Sequence, residues 1–180
     1  MFREIRTNFG KLSGEGIEIE RFSKDFRIRI SIDFSKKHDS VGSGLKFVDS
    51  ILKNTNFSVE VSKEGPESRE LIENVGFAFG EGLRKLHERR GAKFTSSLIR
   101  SDKKMTCMFA IHVLKQLGEA NIQIIGKPEF DPDQLFAFFD GFSQGFRSEV
   151  EAVINLGKEK NHLESVSRAF AGSLGQMFGE

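Results

Sequence analysis

The second half of this chain repeats its first, and that repeat limits the fold more than any other feature. Shifting the sequence by 91 positions without a gap sets Phe47 on Phe138, Asp49 on Asp140, Val59 on Val150 and Glu60 on Glu151. The same shift sets Glu73 on Glu164, Val75 on Val166, Ala78 on Ala169, Phe79 on Phe170 and Leu83 on Leu174. These are nine identities in 39 aligned positions, where composition alone gives about three. The offset is close to half of the 180 residues. Two half-domains are therefore expected, residues 1–90 and 91–180, sharing one compact core.

Periodicity fills in each half. "EGIEIERF" and "FRIRISIDF" alternate apolar with polar residues, the mark of half-buried strands. "LKFVDSILKN" places Leu45, Val48, Ile51 and Leu52 on one helical stripe, and "FSVEVS" is a short strand. "RELIENVGFAFGEGLRKLHE" is a long helix entered through Pro66 and Ser68. Gly76 and Gly80 share a face of it, which predicts close approach of another helix. The pattern then begins again: strands in "AKFTSSLIR", "KMTCMFAIHVL" and "ANIQIIG", a helix from Asp131 and Pro132, a strand in "SEVEAVINL" and a last helix. Amphipathic helices from both halves can bury their stripes only against one another. The expected fold is α+β, with each half supplying a small sheet and two helices, and a four-helix layer sandwiched between two sheets.

Charge excludes several roles. The formal net charge is +1, so no global field draws the chain to nucleic acid or membrane. "ERRGAK" is a basic turn without the interleaved aromatic residues of a single-strand binder. No apolar run reaches the roughly 20 residues of a membrane span. The charged N-terminus does not read as a signal peptide. The single cysteine, Cys107, sits in an apolar run and reads as a buried, inert thiol of a reducing compartment. A soluble, cytoplasmic protein is expected. The chain has nineteen Phe and neither Tyr nor Trp, a bias that the sequence alone leaves without an account.

Three segments, "SGLKFVDSIL", "ELIENVGFAFGEGLRK" and "NHLESVSRAFAGSL", together with the repeat, resemble imidazoleglycerol-phosphate dehydratase of histidine biosynthesis. The resemblance implies a helical layer between two sheets. It also implies a manganese-dependent dehydration of an imidazole phosphate. The metal ligands would come from two His-His-x-x-Glu motifs and a Leu-Asp-His segment.

Matched to those motifs, the first pair of histidines becomes Arg69 and Glu70, with Glu73 kept. The second pair becomes Lys160 and Asn161, with Glu164 kept. The Leu-Asp-His histidine becomes Ser50, although Asp49 is kept, and the acid glutamate becomes Lys103. A cation at a metal position repels the ion. A one-residue shift would bring in His162, but one imidazole and one carboxylate do not make two metal sites. His38, His87 and His112 show no ligand spacing. Glu73 and Glu164 can instead pair with Arg69 and Lys160, four residues before them. The resemblance places the substrate phosphate on basic side chains matching Lys93, Lys115 and Arg168, all still positive.

The expectation is a metal-free, catalytically degenerate dehydratase-like protein. It needs no cofactor, binds a phosphorylated small molecule or partner subunits, and assembles with itself as a trimer or smaller. Two other readings stay open: an active dehydratase with a rebuilt site, and a purely structural subunit.

Overall fold

The computed structural model describes residues 4–37, 41–91, 96–101, 106–114, 116–158 and 160–179. In chain order the elements are β1 (Arg6–Leu12), β2 (Gly16–Phe22), β3 (Arg27–Asp33), α1 (Lys46–Leu52), β4 (Ser58–Glu64) and α2 (Arg69–Arg90). They continue with β5 (Ser96–Ser101), β6 (Thr106–Val113), β7 (Glu119–Ile125), α3 (Pro132–Phe146), β8 (Ser148–Asn155) and α4 (His162–Phe178). The strands form two four-stranded sheets, ordered β1-β2-β3-β4 and β5-β6-β8-β7. The helices lie between them: α2 packs on β2 and β3, α3 on β7 and β8, and α4 on β5 and β6. Across the middle of this layer α2 meets α3, and α1 meets α4. The α+β sandwich expected from the sequence is present, with a sheet and two helices from each half.

Alternation set the strands. Ile28, Ile30 and Ile32 of β3 point into the core, fully buried, while Arg27 and Arg29 point to solvent. Ser68 caps α2 by accepting from the Leu71 amide at 3.1 Å, and Asp131 caps α3 by accepting from Asp133 at 3.0 Å. Strand β1 is the element that the sequence pattern did not announce. Its residues are almost all exposed, so no buried face imposed an alternation on "RTNFGKL".

The contact between α2 and α3 is backbone to backbone. A Cβ on Gly76 or Gly80 would collide with the carbonyl of Phe138 or Phe142, and one on Gly141 or Gly145 with the carbonyl of Glu73 or Phe77. Two glycine pairs, one on each helix, thus interlock. The close approach expected at Gly76 and Gly80 is found, with α3 as the partner.

This layer also explains the phenylalanine bias. Phe138, Phe139, Phe142 and Phe170 are fully buried and meet edge to face, Phe139 and Phe170 at 4.9 Å and 86°. Phe109 of β6 joins them from the second sheet. Helix carbonyls there are already bonded within their helices, so a tyrosine hydroxyl would be buried without a partner, at a cost of roughly 1–3 kcal/mol. Cys107 is buried in the same sheet, as expected. Among the described residues, no helix is long and apolar enough to cross a membrane.

The two sheets are not copies of each other. Shifted by 91, β3 lands on β7, yet β3 sits between β2 and β4 while β7 lies at an edge, parallel to β8. The crossing occurs at Gly118, where any Cβ would collide with the Ser148 and Ser143 carbonyls. Only glycine lets the chain pass so close to the start of β8.

Candidate functional site

The repeat places two related corners at the N-termini of α2 and α4, each carrying one glutamate of the matched pair Glu73 and Glu164. At the first corner Arg69 opens α2 and Glu73 follows one turn later. The glycine interlock presses α3 against this turn and brings Asp140 alongside. The Arg69 guanidinium stands 3.7 Å from the Asp140 carboxylate. Burial raises the Glu73 pKa, the Asp140 charge adds to that, and Arg69 and Arg21 oppose it. Burial likewise raises Asp140, with Arg69 opposing. Arg21 reaches over from β2. Its Nε donates to Asn74 Oδ1 at 2.7 Å, a terminal nitrogen donates to Thr7 at 3.0 Å, and its plane covers the Phe77 ring at 3.8 Å. This corner therefore holds two carboxyls with raised pKa values, with Arg69 opposing the shift of both.

The second corner has the opposite character. Glu164 lies in the first turn of α4. Lys53, just past α1, pairs with its Oε2, and the Arg168 Nε lies 2.9 Å from Oε1. The Asn54 amide donates to the same Oε1 at 3.4 Å and to Ser167 Oγ at 3.0 Å. Ser167 in turn donates to the Ile51 carbonyl at 2.9 Å, tying α4 to α1. Burial pushes the Glu164 carboxyl up, but Lys53 and Arg168 outweigh it and hold the group below the usual carboxylate range. One carboxylate here faces two cations.

The remaining candidates are scattered. Asp49 turns into its own loop, where Oδ1 accepts from the Ser43 amide at 2.9 Å and the Ser43 hydroxyl at 2.5 Å. It orders the entry to α1 and does not reach the Glu164 corner through these bonds. Of the anion-binding set, Arg168 holds Glu164, while Lys93 and Lys115 lie outside the described residues, as do Lys103 and His38. His162 is buried, two positions before Glu164 and on another face of α4. Its Nδ1 accepts from the Glu129 amide at 3.2 Å. His87 is buried edge-on to Phe146 and Phe178, and burial lowers its pKa. His112 sits on β6 opposite Glu149.

Three residues of the two corners escaped sequence reasoning. Asp140 carried a signal, because the 91-residue shift pairs it with Asp49. Lys53 and Arg21 carried none, since only the packing of α1 on α4 and of β2 on α2 brings them in.

No family model matches the sequence, and no curated protein matches it. Solved structures do match. The fold is similar to that of IGPD from Pyrococcus furiosus, crystallised in complex with (S)-C348, with a TM-score of 0.67 at 19% identity. That match covers 86% of this chain and 90% of the other. Imidazoleglycerol-phosphate dehydratase from Staphylococcus aureus subsp. aureus N315 matches with a TM-score of 0.58 at 18% identity, over 90% of this chain and 97% of the other. The fold class is thus the duplicated helical sandwich. In particular, this chain has the imidazoleglycerol-phosphate dehydratase fold.

Manganese, which the resemblance implies, can be tested against the donors present. Among the described residues no three His, Cys, Asp or Glu side chains group to hold an ion. Both Glu164 oxygens face cations, and Glu73 lies within the fields of the Arg69 and Arg21 charges. These residues do not fit a divalent metal.

Proposed function

We propose that this chain is a metal-free, catalytically degenerate protein of the imidazoleglycerol-phosphate dehydratase fold that binds a phosphorylated small molecule. The observation that carries the reading is the Glu164 corner. Lys53 and Arg168 occupy the space around a carboxylate that would otherwise ligate an ion. Together with the Asn54 amide they leave one positive charge in excess. Both basic side chains are about half exposed, 48% for Lys53 and 51% for Arg168, so an incoming anion can reach them. A phosphate would share the two cations with Glu164, and Lys93 and Lys115 are the further basic positions that the resemblance assigns to it. The deciding experiment is calorimetric titration with manganese and, separately, with a sugar phosphate. Phosphate-dependent heat without manganese binding supports the reading; tight manganese binding overturns it.

A second reading, an active dehydratase with a rebuilt site, draws on the other corner. Glu73 and Asp140 are neighbouring carboxyls with raised pKa values, a combination that suits proton transfer. Turnover of imidazoleglycerol phosphate that is lost in Glu73→Gln would favour it.

A further inference from the structure

Arg147 ends α3 with φ 56°, in the left-handed region. Its amide donates to the Gln144 and Ser143 carbonyls, so it holds the position after a helix where glycine is the usual residue. An arginine there costs stability that a glycine would not. What it gains is a place for its side chain, because α3 reaches this point while crossing α2. A Cβ on Gly145 would stand 2.9 Å from the Glu81 amide nitrogen, and the Arg84 Nε donates to the Gly145 carbonyl at 3.3 Å.

Glu81 stands at this crossing with one oxygen unsatisfied. Its side chain is 16% exposed, and Oε2 is buried with no hydrogen-bond partner. Burial raises its pKa, while Arg84, Arg21, Lys85 and Arg147 all pull it down. Four cations sense this carboxylate, yet none donates to Oε2. Arg84 stands 3.7 Å from Oε1 and donates to Glu88 at 2.6 Å. Arg21 donates to Asn74 and Thr7. Lys85, one turn beyond Glu81 on α2, lies 5.4 Å from the Phe9 ring. Among the described residues, neither Lys85 nor Arg147 forms an ion pair. Lys85 is partly exposed and Arg147 exposed, so both cations keep donors for another anion.

We propose that this crossing binds a small dicarboxylate, with one carboxylate on the Arg147 guanidinium and the other on the Lys85 ammonium. A guanidinium takes a planar carboxylate on two parallel N–H donors, and an ammonium takes one as a point charge. The two cations are rooted on different elements, one in each half of the repeat. That arrangement suits two separate carboxylates better than one compact oxyanion. The Arg21 and Arg84 charges add to the attraction. The site shares no residue with the Glu164 corner, and the inference does not rest on the phosphate reading.

Calorimetric titration of succinate into wild type, Arg147→Gly, Lys85→Gln and Arg168→Ala tests it, with acetate at matched ionic strength as the control. Succinate should bind wild type and Arg168→Ala alike, and acetate should bind neither. Arg147→Gly and Lys85→Gln should each weaken succinate binding about tenfold or more, the loss of a charge-assisted contact. Without succinate, Arg147→Gly should melt at or above the wild-type temperature, since glycine takes the left-handed conformation at no steric cost. Lost binding in that variant is then not lost folding. Wild type that ignores succinate, acetate that binds equally well, binding that survives either substitution, or binding that Arg168→Ala removes overturns the proposal. An Arg147→Gly protein that melts well below wild type also overturns it, because the side chain would then serve the fold.

Discussion

Lys53, one residue beyond α1, ion-pairs with Glu164 in the first turn of α4 and so joins the two halves of the repeat through a charge. With Arg168 on the other oxygen, both oxygens of that carboxylate face cations. Protein purified without chelator should therefore hold no stoichiometric manganese, zinc or iron, and EDTA should leave its melting temperature unchanged. Elemental analysis and calorimetry check this.

Added manganese should not produce dehydration of imidazoleglycerol phosphate above background. The electrostatic stabilisation that an ion lends such a reaction has no donor set here. A spectroscopic turnover assay decides, and activity lost in Glu73→Gln or Glu164→Gln would contradict the prediction.

Phosphate or a sugar phosphate should raise the melting temperature with dose, since a ligand of the folded state adds RT ln(1 + [L]/Kd) of stability. Arg168→Ala combined with Lys93→Ala should remove the shift. Differential scanning fluorimetry at increasing phosphate, with sodium chloride as the ionic-strength control, measures it.

The two corners should respond to pH in opposite ways. The folded state holds Glu164 below the usual carboxylate range, so its contribution is present above the unfolded pKa and is lost as pH falls through the folded one. Glu73 is raised, so its contribution is present below the unfolded pKa and is lost as pH rises through the folded one. Glu73→Gln should thus raise the melting temperature at neutral pH, with a gain that fades toward about pH 4, and Glu164→Gln should lower it over the same range. Calorimetric scans across that interval report both.

Gly76→Ala and Gly141→Ala should each destabilise the fold by about 1–3 kcal/mol, because overpacking forces the backbones apart. Their added carbons would meet the Phe138 and Glu73 carbonyls, which cannot turn aside as a side chain would. Gly14→Ala, with nothing within 4 Å of the new carbon, is the control that should stay within about 0.5 kcal/mol. Urea unfolding of the three variants gives the comparison.

Much of this fold was legible before any coordinates. The 91-residue repeat could be read directly in line, and the alternation in β2, β3, β4, β6 and β8 is a consequence of one-sided burial, which writes itself into residue order. The spacing of Gly76 and Gly80 announced a close neighbour for the same reason. Strand β1 left no such mark, because an exposed edge strand has no face to hide. The candidate site was half legible: Glu73 and Glu164, with no paired histidines before them, could be read in line, as could the Asp49–Asp140 match.

What the sequence by itself determined is the set of elements other than β1, their duplication and the absence of paired histidines before Glu73 and Glu164, all properties of local order and composition. Tertiary structure alone decided which charge meets which. Two corners related by sequence became a carboxyl pair at Glu73 and Asp140 and a cation-ringed carboxylate at Glu164, because Lys53 and Arg21 arrive from other elements. It also decided that β7 leaves the central place held by β3 for an open edge. The chain can cross there because Gly118 offers no side chain to the Ser148 carbonyl, and steric exclusion between segments distant in sequence is invisible until they are packed.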